Sequence, residues 1–166
     1  MATDDPEKMP GSDRTLAERE AMYRSAFEQA SVGIAHVGPQ GEWLNVNRRV
    51  SEIVGYSPSE LLTITFQDIT HPDDLDLDVN LLNEVLDGTR DGYRIDNRYC
   101  HKTGRIVWVT LSVSCVRKAS GEVDYFISVL QDITEKKRIG QALLDSEIRF
   151  RAVQETSPDG FMIFHS

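Results

Sequence analysis

The chain reads as an α+β domain: five strands in a mostly antiparallel sheet, helices on one face, and an amphipathic helix at either end. Three observations carry this. The segments run in the order two strands, a cluster of helices, three strands, which suits a sheet with segregated helices. Gly, Pro and Asn punctuate that order at turns. The chain also begins the same pattern twice: Tyr23-Arg24-Ser25-Ala26-Phe27-Glu28-Gln29-Ala30-Ser31-Val32-Gly33-Ile34 aligns with Phe150-Arg151-Ala152-Val153-Gln154-Glu155-Thr156-Ser157-Pro158-Asp159-Gly160-Phe161. The offset of 127 residues is a domain's length, too long for a solenoid repeat. The expectation is one complete module followed by the truncated start of another, in the N-terminal part of a longer modular protein.

Each element has a local reason. Residues 1–14 are polar and rich in Asp, Pro and Gly, and read as a disordered leader. A flanking helix over 15–31 starts at Thr15, with Glu18 three residues on as in a capping box, and carries Leu16, Tyr23, Phe27 and Ala30 near one face. Gly33 ends it. Ile34–Val37 and Trp43–Val46 then form a hairpin around Gly38-Pro39-Gln40-Gly41. Asn47 stands at an N-cap position before Arg48–Val54, and Gly55 ends that helix. Ser57-Pro58-Ser59-Glu60 opens a short helix.

His71-Pro72-Asp73-Asp74 opens a longer helix with acids at its N-terminus, as the helix dipole favours. Its apolar stripe is Leu77, Leu81, Leu82, Val85 and Leu86, and Asp74, Asp76 and Asp78 are expected to face water. Three strands follow: Tyr93–Cys100, Arg105–Val116 and Val123–Ile133. In the middle one Val107, Val109, Leu111, Val113 and Cys115 share a core face, and Trp108 lies on the opposite face, under a flanking helix or a partner chain. The last strand is apolar on both sides, hence central. From Thr134 the chain turns helical again.

Composition narrows the function. A net charge of −9 argues against nucleic acid. The two cysteines, Cys100 and Cys115, lack metal or redox spacing and read as small buried or half-buried thiols in a reducing compartment. No apolar run reaches the ~18 residues of a membrane span, so the segment is expected to be cytoplasmic and free of membrane contact. No nucleophile elbow, phosphate-binding glycine loop or kinase loop is present, so no enzymatic activity is expected of the segment itself.

The layout and a distributed set of residues resemble a PAS domain with a PAC-like C-terminal segment. The residues are Gly33-Ile34, Asn45-Val46-Asn47, Gly55-Tyr56, Glu60-Leu61-Leu62, His71-Pro72-Asp73-Asp74, Gly104, Trp108-Val109 and Asp132-Ile133-Thr134-Glu135. The resemblance implies the PAS fold over residues 32–134, a linker or signalling helix over 135–149 and a second PAS domain starting at 150. It also implies a sensory module of a multidomain signal-transduction protein, with a sensor histidine kinase output. A ligand-free dimerisation scaffold, or a flavin-binding redox sensor in a diguanylate cyclase or phosphodiesterase, stays open as an alternative.

Asp132, Ile133 and Thr134 are then the expected signal-coupling residues, where a carboxylate holds the strand–helix junction and Thr134 caps the helix. Asn47, Phe66 and Trp108 are the candidate ligand-binding residues, although cap, helix packing and core aromatic are ordinary roles for them. The flanking helices are the expected homodimer contact, with a second PAS domain and an output domain downstream.

Metal and haem readings fail on spacing. His71 has no spaced ligand partners, and the stretch Asp76–Leu86, where the resemblance places a haem-ligating histidine, contains none. His36, His101 and His165 lie in strand or turn contexts. A calcium loop at Asp74–Asp76–Asp78 lacks its Gly and closing Glu. A flavin thioadduct would need a helical cysteine. Cofactor identity stays unknown: no cofactor is the leading reading, with a non-covalent flavin as the alternative.

Overall fold

The computed structural model describes residues 14–156. Its first helix, α1 (Leu16–Gln29), is capped by Thr15, whose hydroxyl accepts from the Glu18 amide. The strands β1 (Gly33–Val37) and β2 (Trp43–Val46) follow, then the helices α2 (Arg48–Val54), α3 (Pro58–Leu61), α4 (Phe66–Ile69) and α5 (Pro72–Leu86). The strands β3 (Gly92–Cys100), β4 (Ile106–Arg117) and β5 (Val123–Asp132) complete the sheet, and α6 (Thr134–Thr156) leaves it. All pairings are antiparallel, in the order β2-β1-β5-β4-β3. The last strand is therefore central, as its two apolar faces predict.

One layer of helices, α2 to α5, covers the inner face. Val50, Ile53, Leu61, Phe66, Leu82 and Val85 meet Val107, Val109, Leu111, Phe126 and Leu130 in a single core. Helix boundaries follow chemistry. Ser57 and Glu60 complete a reciprocal capping box on α3. Gly55 ends α2 at φ 80°, where a Cβ would also stand 2.3 Å from the His101 ring.

The structure departs from the simple sequence pattern at several points. Leu77 is 54% exposed while Asp78, next to it, is 1% exposed. The buried stripe of α5 runs through Asp78, Leu82 and Val85, so this acid faces the core instead of water. In β5 the face pattern slips at Asp124, where a bulge turns Val123 into the core beside Phe126. The short helix α4 has only four residues, too few for a periodic signal. The flanking helix over Trp108 is α6, through Lys137, and not α1. Helix α1 covers the outer face of β1 and β5, where Phe27 packs at 5.7 Å from His36, and His36 at 5.1 Å from Tyr125.

Candidate functional site

Two polar assemblies lie on opposite faces of the sheet. The outer one is the junction where β5 becomes α6. The Ile133 amide donates to the Trp108 carbonyl at 2.8 Å, continuing the ladder one residue past the strand. The Thr134 hydroxyl accepts from the Trp108 amide at 3.0 Å. Asp132 accepts from the Thr134 amide at 2.9 Å. The expected roles are thus exchanged: Asp132 supplies the capping oxygen, while the threonine hydroxyl reaches sideways and ties the helix start to β4.

The Trp108 side chain extends this tie. The Arg98 guanidinium lies 5.0 Å from its ring centroid, and the Lys137 ammonium lies 4.8 Å from it. Both are cation–π distances. Lys137 comes from the first turn of α6 and also meets the Asp96 carboxylate at 3.1 Å. Arg98 is gripped by Asp74 of α5 through Nε at 2.9 Å, a terminal nitrogen at 2.8 Å and its backbone amide at 2.8 Å. Such a bidentate, charge-assisted contact has a fixed geometry. The Arg98 hydrogen bonds hold the Asp74 carboxyl below the usual carboxylate range. A continuous chain therefore runs α5–Arg98–Trp108–Lys137–α6. It ends at a helix that projects from the domain with Ile139, Leu143, Leu144, Ile148 and Phe150 exposed.

The inner assembly surrounds a cavity of ≈10 Å³ between α5 and the sheet, lined by Phe66, Asp78, Leu82, Tyr93, Phe126 and Ser128 among others. The Tyr93 hydroxyl donates to Asp78 Oδ1 at 2.6 Å. Asp78 Oδ2 has no partner among the described residues, and neither side-chain atom of the buried Asn97 meets one at hydrogen-bonding geometry. Asn97 lies close to the Tyr99 hydroxyl, which also feels the charge of Asp78. Burial pushes the Asp78 carboxyl up to about 6, with the charge of Asp74 acting in the same direction. Buried polar atoms are nearly always partnered, so the bare Oδ2 of Asp78 at the cavity marks it as unusual.

The sequence-predicted ligand residues do not converge on this cavity. Phe66 lines it. Asn47 is fully buried and saturated: Oδ1 accepts from the Ile34 and Val50 amides, and Nδ2 donates to the Phe27 and Val32 carbonyls. It knots α1, β1 and α2 together and has no donor or acceptor left for a ligand. Trp108 lies across the sheet, in the outer assembly. Sequence reasoning missed Asp78, Asn97 and Arg98. The signal was available for two of them: Asp78 is i−4 from Leu82 and i−7 from Val85, and Asn97 shares the inward parity of Tyr93 and Tyr99.

An organic ligand fills several hundred Å³, and ≈10 Å³ is room for about one water. A flavin ring does not fit this cavity. No three or more His, Cys, Asp or Glu side chains among the described residues are grouped to hold a metal ion. Cys100 and Cys115 are free and half-buried. No helix among the described residues is long and apolar enough to cross a membrane.

A sheet in this order, with helices packed on one face and an exit helix tied back to β4, defines a PAS-type domain. A family model described as the PAS fold matches residues 44–130, and the chain belongs to that family. It is 38% identical over 126 residues to a probable diguanylate cyclase, DgcE, of Escherichia coli K12, covering 76% of this chain and 11% of that protein. It is 25% identical over 136 residues to the sensor histidine kinase TmoS of Ectopseudomonas mendocina, covering 82% and 14%. The chain thus spans only a small part of these curated relatives. Among solved structures, a sensory box histidine kinase/response regulator from Burkholderia thailandensis superposes with a TM-score of 0.62 at 25% identity, covering 79% of this chain and 98% of that one. A PAS domain from Colwellia psychrerythraea superposes with a TM-score of 0.64 at 17% identity, covering 70% and 98%.

Proposed function

We propose that this domain is the sensory and dimerising module of a multidomain signalling protein, and that it passes its state through Asp132, Ile133 and Thr134 into α6. The observation that carries this is the double anchorage of the helix start to Trp108, by backbone and by ring. A shift of β4 or α5 moves the first turn of α6 and not merely a loop. Transmission needs two packings of different ligand affinity, and the chain from Asp74 to Lys137 is the element that both ends bias.

The parent protein is read as a signalling enzyme of the sensor histidine kinase kind. A diguanylate cyclase output is the second reading, favoured by the 38% identity to DgcE. The segment itself is non-catalytic and cytoplasmic, and a second PAS domain begins near residue 150. α6 runs as one continuous helix from Thr134 to Thr156. The proposed second module rests on the alignment of Phe150–Thr156 with Tyr23–Gln29 of α1, and Ser157–Ser166 lie outside the described residues.

The test is Asp132→Ala in the full-length parent. The domain should keep its circular dichroism and thermal midpoint within a few degrees, while stimulus no longer changes the output activity. A normal response would mean that the junction is a cap without a signalling role.

A further inference from the structure

We propose that the core cavity between α5 and the sheet binds a small protonated amine, with ammonium as the minimal occupant and the Asp78 carboxylate as its counter-charge. This names the ligand class for the sensory reading above and rests on that reading.

The argument begins with an acid that lacks a cation. Asp78 is 1% exposed, yet its only hydrogen bond among the described residues comes from the neutral Tyr93 hydroxyl, and Oδ2 is bare. The nearest charge acting on it is another carboxylate, Asp74. A buried ionised group without a partner is costly. Anions are therefore repelled. A neutral apolar guest would leave Oδ2 unsatisfied. A water satisfies that oxygen but not the charge, and a divalent metal needs more ligands than one carboxylate. A protonated amine supplies both a donor and a positive charge.

The walls suit it. Phe66, Tyr93 and Phe126 line the cavity, and aromatic faces attract a desolvated cation. Size then grades the ligands. The ≈10 Å³ space admits a group about the size of water, so ammonium enters without rearrangement. Methylammonium fits only if α5 moves outward.

That movement has a direction of travel. Asp74 lies one turn before Asp78 on α5 and holds Arg98, which rests on Trp108 opposite Lys137 of α6. An amine seated on Asp78 thus acts on the same chain that anchors the exit helix. Ligand size becomes displacement of α5, and displacement becomes a change at α6.

The test is an amide-resolved NMR titration of the full chain at pH 7.5 with ammonium chloride and with methylammonium chloride, against sodium chloride at matched ionic strength. The expected result is saturable shifts at Tyr93, Asn97 and the neighbouring amides for both amines, extending to Trp108 and Lys137 with methylammonium. Asp78→Asn should weaken binding at least tenfold. A second readout uses the wild-type chain alone. The groups facing Asp78 are Tyr93 and Tyr99 of β3, which stay neutral, and Asp74, which stays ionised, so affinity should fall about tenfold per pH unit below the titration of Asp78. Shifts that match sodium chloride, undiminished binding by Asp78→Asn or a flat pH dependence would each mean that the cavity holds an ordered water only. In that event an intact effect of Asp132→Ala would preserve the sensory reading and refute the ligand alone.

Discussion

Asp78 keeps its proton to about pH 6 because the core cannot solvate its charge. The consequence for stability has a definite sign. The folded chain binds this proton more tightly than the unfolded chain, whose carboxyl titrates at the ordinary 3.8. The folded state therefore holds more protons between these values, and the contribution of Asp78 to stability falls as pH rises from about 4 through 6. Asp74 and Asp96, with depressed values, contribute in the opposite direction. The difference between wild type and Asp78→Asn isolates the buried acid. In amine-free sodium buffer, urea unfolding should show Asp78→Asn gaining up to about 3 kcal/mol relative to wild type between pH 4 and 7.5. A difference that does not change with pH would show the carboxyl to be solvated.

At the scale of elements, α6 is held by its first turn. Two cation–π contacts on one half-buried indole are worth roughly 1–2 kcal/mol together. Trp108→Leu should therefore speed amide exchange over residues 136–141 by about tenfold, leaving the amides of β5 unchanged. If α6 exchanged at the wild-type rate, the bonds of the Ile133 amide and the Thr134 hydroxyl to the Trp108 backbone would be sufficient by themselves. The elements also show what sequence can convey. Strand parity in β4 reads directly, because Val107 to Val113 alternate without interruption. In α5 the two signals conflict, since hydrophobicity selects Leu77 over Asp78 while helical phase selects Asp78. The tie from Arg98 to Trp108 joins different strands and a helix, so no local pattern announces it. Asp132–Thr134 was legible as a junction, but the division of labour between its two polar side chains depends on where β4 lies.

For the whole molecule, α6 exposes more large apolar side chains than any other helix among the described residues. Ile139 is 59% and Leu143 71% exposed. Such side chains seek a partner helix. Sedimentation equilibrium should show concentration-dependent dimers, and the pair Leu143→Glu with Ile148→Glu should leave a folded monomer. An unchanged dimer would move the interface to α1 or to the sheet. The register of the sheet carries a further consequence. Gly33, where the chain enters the domain, pairs with Leu130, two residues before it leaves. Entry and exit are thus neighbours, and the domain hangs to one side of the chain's path like a bead on a loop of thread. Such a bead can be duplicated, removed or exchanged by genetic splicing without redirecting the thread, provided that the joined helices keep their rotational phase. Insertions of whole helical turns within α6 should preserve the parent's stimulus response, and insertions of half a turn should abolish it, as output assays would show.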